Sequence, residues 1–356
     1  MAIDFSGALT LADYAAVSND PLVKEITKSL HKTWNALKDI PLFTSPSLKQ
    51  VGMRYVNENI PVPSWTTING EPVAVKSRPK SYEEQLYILR NSIKVDKILL
   101  DQPNAIIDPI EAQVQMFLEG FAYDFNDKYL NNDPTSNTGG NTTDCFPGLK
   151  YRLDNFADYQ IPSEMRIPSQ NISSGGLFTA LKGVQSANRF MADLQQLFDN
   201  MNSPDGDGVV LYMSEKCKRQ IEMAIRVMGI GAGFDITQDS FDRPVEKFKA
   251  ATIRTVGRKS DGTTSVISDA QTLSVFVDPA AAATTVGATS KCSQIYAVRY
   301  GTGYMQGWQP KPFKPTYLGL SKENGIMHNV LFDWGVGLWC PHTRALGRLD
   351  VMVSDS

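Results

Sequence analysis

The sequence predicts a mixed α+β fold, and three observations carry that prediction. Residues 108–131 hold the longest helical pattern, with Ile110, Val114, Phe117, Leu118, Phe121 and Phe125 recurring at spacings of three and four. Val209–Met213 is a continuous apolar run, and Ser214 opens a helical pattern reaching Met228, so a strand feeds directly into a helix. Short apolar runs over 293–300, 316–320 and 330–338 end the chain in strands, which must pair back with the amino half.

The chain has 356 residues, 42% hydrophobic and 21% charged, enough for one large domain or two to three smaller ones. A core of that size needs no disulfide or metal staple. Against 38 acidic residues stand 35 basic ones, for a formal charge of −3, so no overall basic balance draws the chain to nucleic acid. Cys145, Cys217, Cys292 and Cys340 are dispersed, which fits a reducing compartment better than a disulfide framework. The first residues, Met1-Ala2-Ile3-Asp4-Phe5, lack the basic start of a signal peptide, and no run of 18 apolar residues exists to span a membrane. A soluble intracellular product is the expectation.

From the amino end, Asn19-Asp20-Pro21 opens an amphipathic helix with Leu22, Ile26, Leu30, Trp34 and Leu37 on one face and lysines around it. From Gly52 to Arg78 the pattern turns to period two. Met53, Tyr55, Val73 and Val75 suggest strands, and Asn69-Gly70 signals a tight hairpin whose central residues both take positive φ. A lone hairpin is marginal in water, so another subunit is a candidate to complete it. Tyr82–Leu89 reads as a short helix and Ser92–Leu100 as a strand. In the long helix, Asp108 caps, Pro109 fills the first turn, and Asn131-Asn132-Asp133-Pro134 stops it. Glu111, Glu119, Asp124 and Asp127 lie largely off its apolar face. Residues 134–141 read as a surface loop and Phe146–Pro168 as irregular. A helix follows through Leu177, Leu181, Val184, Met191, Leu194 and Phe198, then strands at Thr252–Thr255 and Leu273–Val277 and a loop at Ala280–Ser290.

Chemistry is sparse. His31, His328 and His342 are not spaced for zinc. Cys340-Pro341-His342 brings thiol and imidazole close in sequence, which alone does not make a nucleophile–base pair. Gly229, Gly231 and Gly233 follow a helix instead of preceding one, the wrong order for a phosphate cradle. Asp205 and Asp207 resemble the start of a calcium loop, but Val209 fills the next ligand position and no glutamate closes it. No catalytic residue, cofactor or metal is assigned, and the chain is expected not to be an enzyme.

Several short stretches, in this order, carry a resemblance across nearly the whole chain. They are Glu84-Gln85-Leu86-Tyr87-Ile88-Leu89, then Ile93-Lys94-Val95-Asp96, and then the helix end at Phe125–Asp133. Gly148-Leu149-Lys150-Tyr151-Arg152-Leu153 follows, similar to a G-L-x-x-R-L pattern. Ile295–Gly301, Trp334–Leu338 and Arg344–Leu349 complete the series. Together they resemble the major capsid proteins of tailed bacteriophages with the Hong Kong 97-type fold.

The resemblance implies an amino-terminal arm over 1–49 and an extended loop over 50–81 that lies across a neighbouring subunit. It implies a peripheral domain over 82–153 and 301–341 with its spine helix at 108–131. An axial domain over 154–300 and 342–356 would meet its copies at five- and six-fold axes. The partner implied is the chain itself, as pentamers and hexamers of an icosahedral virion shell assembled in the host cytoplasm. That shell would enclose double-stranded DNA without sequence-specific binding. A separate scaffolding protein is expected, because helical order begins near residue 19, together with a portal and a decoration protein. Assembly contacts are assigned to Trp65, Asn69, Gly70, Lys76 and Lys80 on the loop and to Glu111, Glu119 and Asp127 on the helix. Two alternatives stay open: an encapsulin-like shell around cargo enzymes, and an enzyme or ligand-binding protein with a dispersed site.

Overall fold

The computed structural model describes residues 36–54, 64–71, 80–100, 109–168, 184–228, 234–238, 244–271, 274–275, 284–285, 292–321 and 325–352. Most of the expected helix over 22–37, the cap at Asp108, Tyr55, Val73, Val75, Lys76 and the Gly229–Gly233 cluster lie outside the described residues.

The amino part holds strands β1 (Leu42–Thr44), β2 (Lys49–Arg54), β3 (Lys80–Gln85) and β4 (Tyr87–Asp96), a single helical turn α1 (Lys97–Leu100) and the long helix α2 (Pro109–Asn131). At 23 residues α2 spans roughly 35 Å. Its end is sewn down by Asn132, which is buried and donates from its side-chain amide to the carbonyls of Thr142 (3.1 Å) and Phe146 (2.9 Å) while accepting from the Thr142 N–H. Next come α3 (Leu149–Asp154), β5 (Arg166–Pro168), α4 (Val184–Asn200), β6 (Val209–Met213) and α5 (Glu215–Met228). As expected, the Ser214 hydroxyl caps α5, accepting from the Cys217 N–H at 3.2 Å. Strands β7 (Phe234–Gln238), β8 (Pro244–Phe248), β9 (Ala251–Thr255), β10 (Ser274–Val275), β11 (Thr284–Thr285), β12 (Cys292–Arg299), β13 (Gln306–Gln309), β14 (Pro315–Leu320), β15 (Met327–Trp339) and β16 (Leu346–Met352) follow.

Two larger sheets organise these strands. In the five-stranded sheet, β1-β13-β15-β14 are neighbours in that order and β4 also pairs with β15, running antiparallel from Met327↔Asp96 to Val336↔Tyr87. The return of late strands to the amino half is therefore present. The helix α2 lies on this sheet through Phe117 against Phe332 (ring centroids 4.2 Å apart) and through Phe121 and Phe125 against Trp334 (5.8 and 6.0 Å). The alternation along β15 explains why: Phe332, Trp334 and Val336 are buried, with exposed Asp333 and half-buried Gly335 between them. Gly337 belongs to the same strand for a steric reason, since a Cβ there would stand 2.3 Å from the Trp308 ring.

The seven-stranded sheet runs β5-β16-β12-β6-β9-β8-β7, parallel at β5/β16 and β6/β9 and antiparallel elsewhere. Every residue of β6 is buried, so the strand is covered on both faces and shows no alternation in sequence. A hydroxyl cluster ties this sheet to α2. The Tyr300 hydroxyl lies 2.5 Å from that of Tyr129 and 2.7 Å from that of Tyr212. Tyr212 donates to Asp39, and Arg254 holds the same carboxylate through Nε and Nη2. The backbone N–H of Ala36 donates to Asn126 on α2 at 2.7 Å. The chain before β1 is thus fixed to the helix and the larger sheet at once.

Several expectations are corrected. Tyr82–Leu89 is not helical: β3 and β4 run through it, and Tyr82 and Glu84 point inward while Ser81, Glu83 and Gln85 face water. The glutamates suggested a helix, but the period is two. The strand expected at Ser92–Leu100 begins earlier, at Tyr87, and stops at Asp96, whose carboxylate accepts the Ile98 N–H and starts a helical turn. The loop expected over Ala280–Ser290 contains β11, paired with β10. Phe146–Pro168 is more regular than expected, with α3 and β5 inside it.

Candidate assembly interface

Of the candidate residues on the loop, Lys80 lies in a strand pair packed on the body, and Trp65, Asn69 and Gly70 lie on an exposed turn. Strands β2 and β3 pair from Lys49↔Gln85 to Arg54↔Lys80. On the inner face Gly52 sits against the Trp339 ring, with room for no Cβ, and the Tyr82 ring lies 5.0 Å from Trp339. Beside them Glu84 meets the fully buried Arg152 at 2.5 Å. Arg152 donates to the Tyr82 hydroxyl (3.1 Å) and through Nε to the Pro147 carbonyl (3.0 Å), and its guanidinium lies over the Tyr159 ring. Burial by itself lowers the Arg152 pKa, and Glu84, Tyr82 and Tyr159 together more than offset that, so the guanidinium stays charged. Arg152 is the arginine of the G-L-x-x-R-L pattern.

The outer face of the same hairpin sets exposed apolar side chains beside the Lys49–Glu83 ion pair. Val51 and Met53 are 68% and 66% exposed, and Leu48 before them 70%. At the tip Trp65 and Ile68 are essentially fully exposed. The turn there differs from the expected one. The Gly70 N–H donates to the Thr67 carbonyl (2.8 Å) and only Asn69 takes positive φ (71°), so Ile68-Asn69 is the turn centre, one residue earlier than the Asn69-Gly70 pair. Lys80 opens β3 and is exposed.

On α2 the acidic candidates are not equivalent. Glu119 is exposed. Glu111 stands in the first turn, with its side chain outside the described residues. Asp127 is committed inside the subunit: it pairs with Lys259 at 3.0 Å and accepts from the Asn131 amide at 2.8 Å. Its carboxylate is thus already partnered within its own subunit. A second apolar surface escaped sequence reading, with Tyr317, Leu318 and Leu320 of β14 and nearby Ile326 all more than 40% exposed. The only signal for it was a strand without charged residues on an edge.

The remaining chemistry is quiet. The Cys340 thiol donates to the backbone carbonyl of His342 at 3.6 Å, and the His342 Nδ1 accepts the Arg344 N–H. Burial pushes the Cys145 thiol up to about 12 and the Cys217 thiol up to about 11, disfavouring thiolate. Among the described residues no three His, Cys, Asp or Glu side chains are grouped to hold a metal, and no helix is long and apolar enough to cross a membrane.

The fold is similar to those of an encapsulin and of a phage structure. The holo-SrpI encapsulin complex of Synechococcus elongatus PCC 7942 is similar over 98% of both chains, at 12% identity and a TM-score of 0.54. A structure from Microbacterium phage Oxtober96 is similar over 90% of each chain, at 10% identity and a TM-score of 0.50. The resemblance to Hong Kong 97-type capsid proteins is thereby met at the level of fold. No protein-family model and no curated protein sequence matches the chain.

Proposed function

We propose that the chain is a shell-forming subunit, the major capsid protein of a tailed phage, assembling as pentamers and hexamers around double-stranded DNA. The observation that carries this reading is the hairpin: its inner face is locked to the body by a buried ion pair, and its outer face and tip offer apolar side chains that nothing in their own subunit covers. Exposed apolar surface of that extent marks an interaction site. Identical subunits joined by such heterologous contacts close into rings. The domain roles follow the sheets. The five-stranded sheet with α2 serves as the peripheral domain, with β1 contributed by the arm, and the seven-stranded sheet serves as the axial domain. A near-neutral, slightly acidic chain suits an inner wall that does not trap DNA by counterion release. Scaffolding, portal and decoration proteins are the further partners, and the virion is the location.

A second reading, an encapsulin-like compartment, is favoured by the fold likeness over 98% of both chains. Expression of the chain with and without its neighbouring genes, followed by sedimentation and negative-stain microscopy, tests both. Closed icosahedral particles are expected, and their contents separate the readings: nucleic acid for a capsid, a co-purifying protein for a compartment. Monodisperse monomers under all scaffold and salt conditions overturn the shell reading.

A further inference from the structure

We infer that Asn69-Gly70 is a site of spontaneous deamidation, a reaction that needs one subunit only and so stands apart from the shell reading. The Gly70 backbone nitrogen attacks Cγ of the Asn69 side-chain amide. Nucleophile and electrophile sit on neighbouring residues, so the ring closes without any encounter between molecules. The Gly70 nitrogen gives its proton to solvent base as its bond to Cγ forms. The bond from Cγ to Nδ2 breaks, and Nδ2 leaves as ammonia with a proton returned by solvent. Water then opens the cyclic imide. Attack at Cγ leaves aspartate at position 69, and attack at the backbone carbonyl carbon leaves isoaspartate, with the chain rerouted through the side chain. Water is the only co-reactant, and nothing is oxidised or reduced.

The surroundings single out this asparagine. Every residue of 64–71 is exposed, so no packed side chain resists the rotation that brings Cγ to the Gly70 nitrogen. Gly70 has no Cβ to crowd that nitrogen. The hydrogen bond from the Gly70 N–H to the Thr67 carbonyl (2.8 Å) must open first, which slows closure by about tenfold or less. Asn202 is the contrast. It is also exposed and at positive φ (55°), but the next residue, Ser203, is buried, carries a side chain and donates its N–H to the Phe198 carbonyl at 3.0 Å. The amides of Asn126 and Asn132 are buried and hydrogen-bonded. The other Asn-Gly pair of the sequence, Asn324-Gly325, has its asparagine outside the described residues. The consequence is one of charge: Glu71 is the one charged residue of 64–71, and the reaction sets a second carboxylate two residues before it.

The test holds purified full-length protein in mildly alkaline and in mildly acidic buffer and reads its tryptic peptides by mass spectrometry with fragmentation. Cleavage after Arg54 and Lys76 releases Asn69 within residues 55–76, and cleavage after Arg189 and Lys216 releases Asn202 within residues 190–216. Conversion at Asn69 is expected to run several-fold faster than at Asn202, and faster in alkali than in acid. Its product is expected to contain isoaspartate, detected by labelling with isoaspartyl methyltransferase. Gly70→Ala should slow conversion several-fold, and Gly70→Ser takes its place should the first variant not fold, as judged by circular dichroism. An Asn69 that keeps its amide as long as Asn202 does overturns the inference. So does a product of aspartate alone, which marks direct hydrolysis without the cyclic imide, and so does a folded Gly70 variant that converts as fast as wild type.

Discussion

Glu84 and Arg152 face each other at 2.5 Å with both side chains shielded from water, joining β3 at the hairpin base to α3 of the body. Breaking a buried pair by removing one partner leaves an uncompensated charge, at a cost of about 3–5 kcal/mol. Glu84→Ala is therefore expected to destabilise the subunit by that amount in urea unfolding. A midpoint equal to wild type would show that the pair is not buried as described.

Tyr300 supplies the shared partner for the hydroxyls of Tyr129 and Tyr212, all three fully enclosed. Tyr300→Phe should cost about 1–3 kcal/mol, because two buried hydroxyls lose a hydrogen-bond partner without any change in packing volume. Thermal unfolding of the purified subunit measures it, and an unchanged Tm counts against the network.

Gly337→Ala forces a methyl group to within 2.3 Å of the Trp308 ring, which is fully buried and has nowhere to swing. Overpacking of this kind costs about 1–3 kcal/mol. The same unfolding assay reports it, with Gly120→Ala, where a Cβ meets nothing within 4 Å, as the harmless control.

His342 is held below its ordinary pKa, first by burial and then by the charges of Arg299 and Arg344. The unfolded chain therefore binds a proton more readily than the folded one. Its contribution is present above about pH 6.5 and is lost as pH falls from there through the lower folded value. Subunit stability should decline on that acid side, and His342→Asn, which keeps an acceptor for the Arg344 N–H, should flatten the decline. Parallel pH profiles for the two proteins would refute this.

Deleting residues 65–72 removes the exposed tip and leaves the clamped base. A folded subunit that closes no shells is the expected product, judged by circular dichroism and electron microscopy. Intact particles from this deletion would take the hairpin out of assembly.

Much of this architecture was legible in the residues. The spacing from Ile110 to Phe125 announces α2 and its buried face, and Val209–Met213 with Ser214 announces β6 and its capped helix. What stayed hidden depends on residues distant in sequence. Glu84 reads as one more surface glutamate until Arg152, 68 positions on, is seen beside it. Strand β16 alternates poorly because both its faces are covered and its Arg348 and Asp350 pair with each other and with Asp154 and Gln294 from elsewhere in the chain. At the candidate interface, the exposed loop tip was marked by its turn residues. The partner of Asp127 stayed hidden because a carboxylate on a helix surface gives no sign of a lysine arriving from residue 259.

The pairing of β4 with β15 has a consequence for the order of events during synthesis. Val95 waits for His328, in a chain of 356 residues, so the sheet under α2 cannot close until the chain is almost complete. Contacts this far apart in sequence form slowly. The aromatic face of α2 is left uncovered while the chain is still being made, and an unfinished subunit lacks Trp339, against which Gly52 and Tyr82 of the hairpin pack. Anchorage of the hairpin to the body is thereby timed to the end of translation.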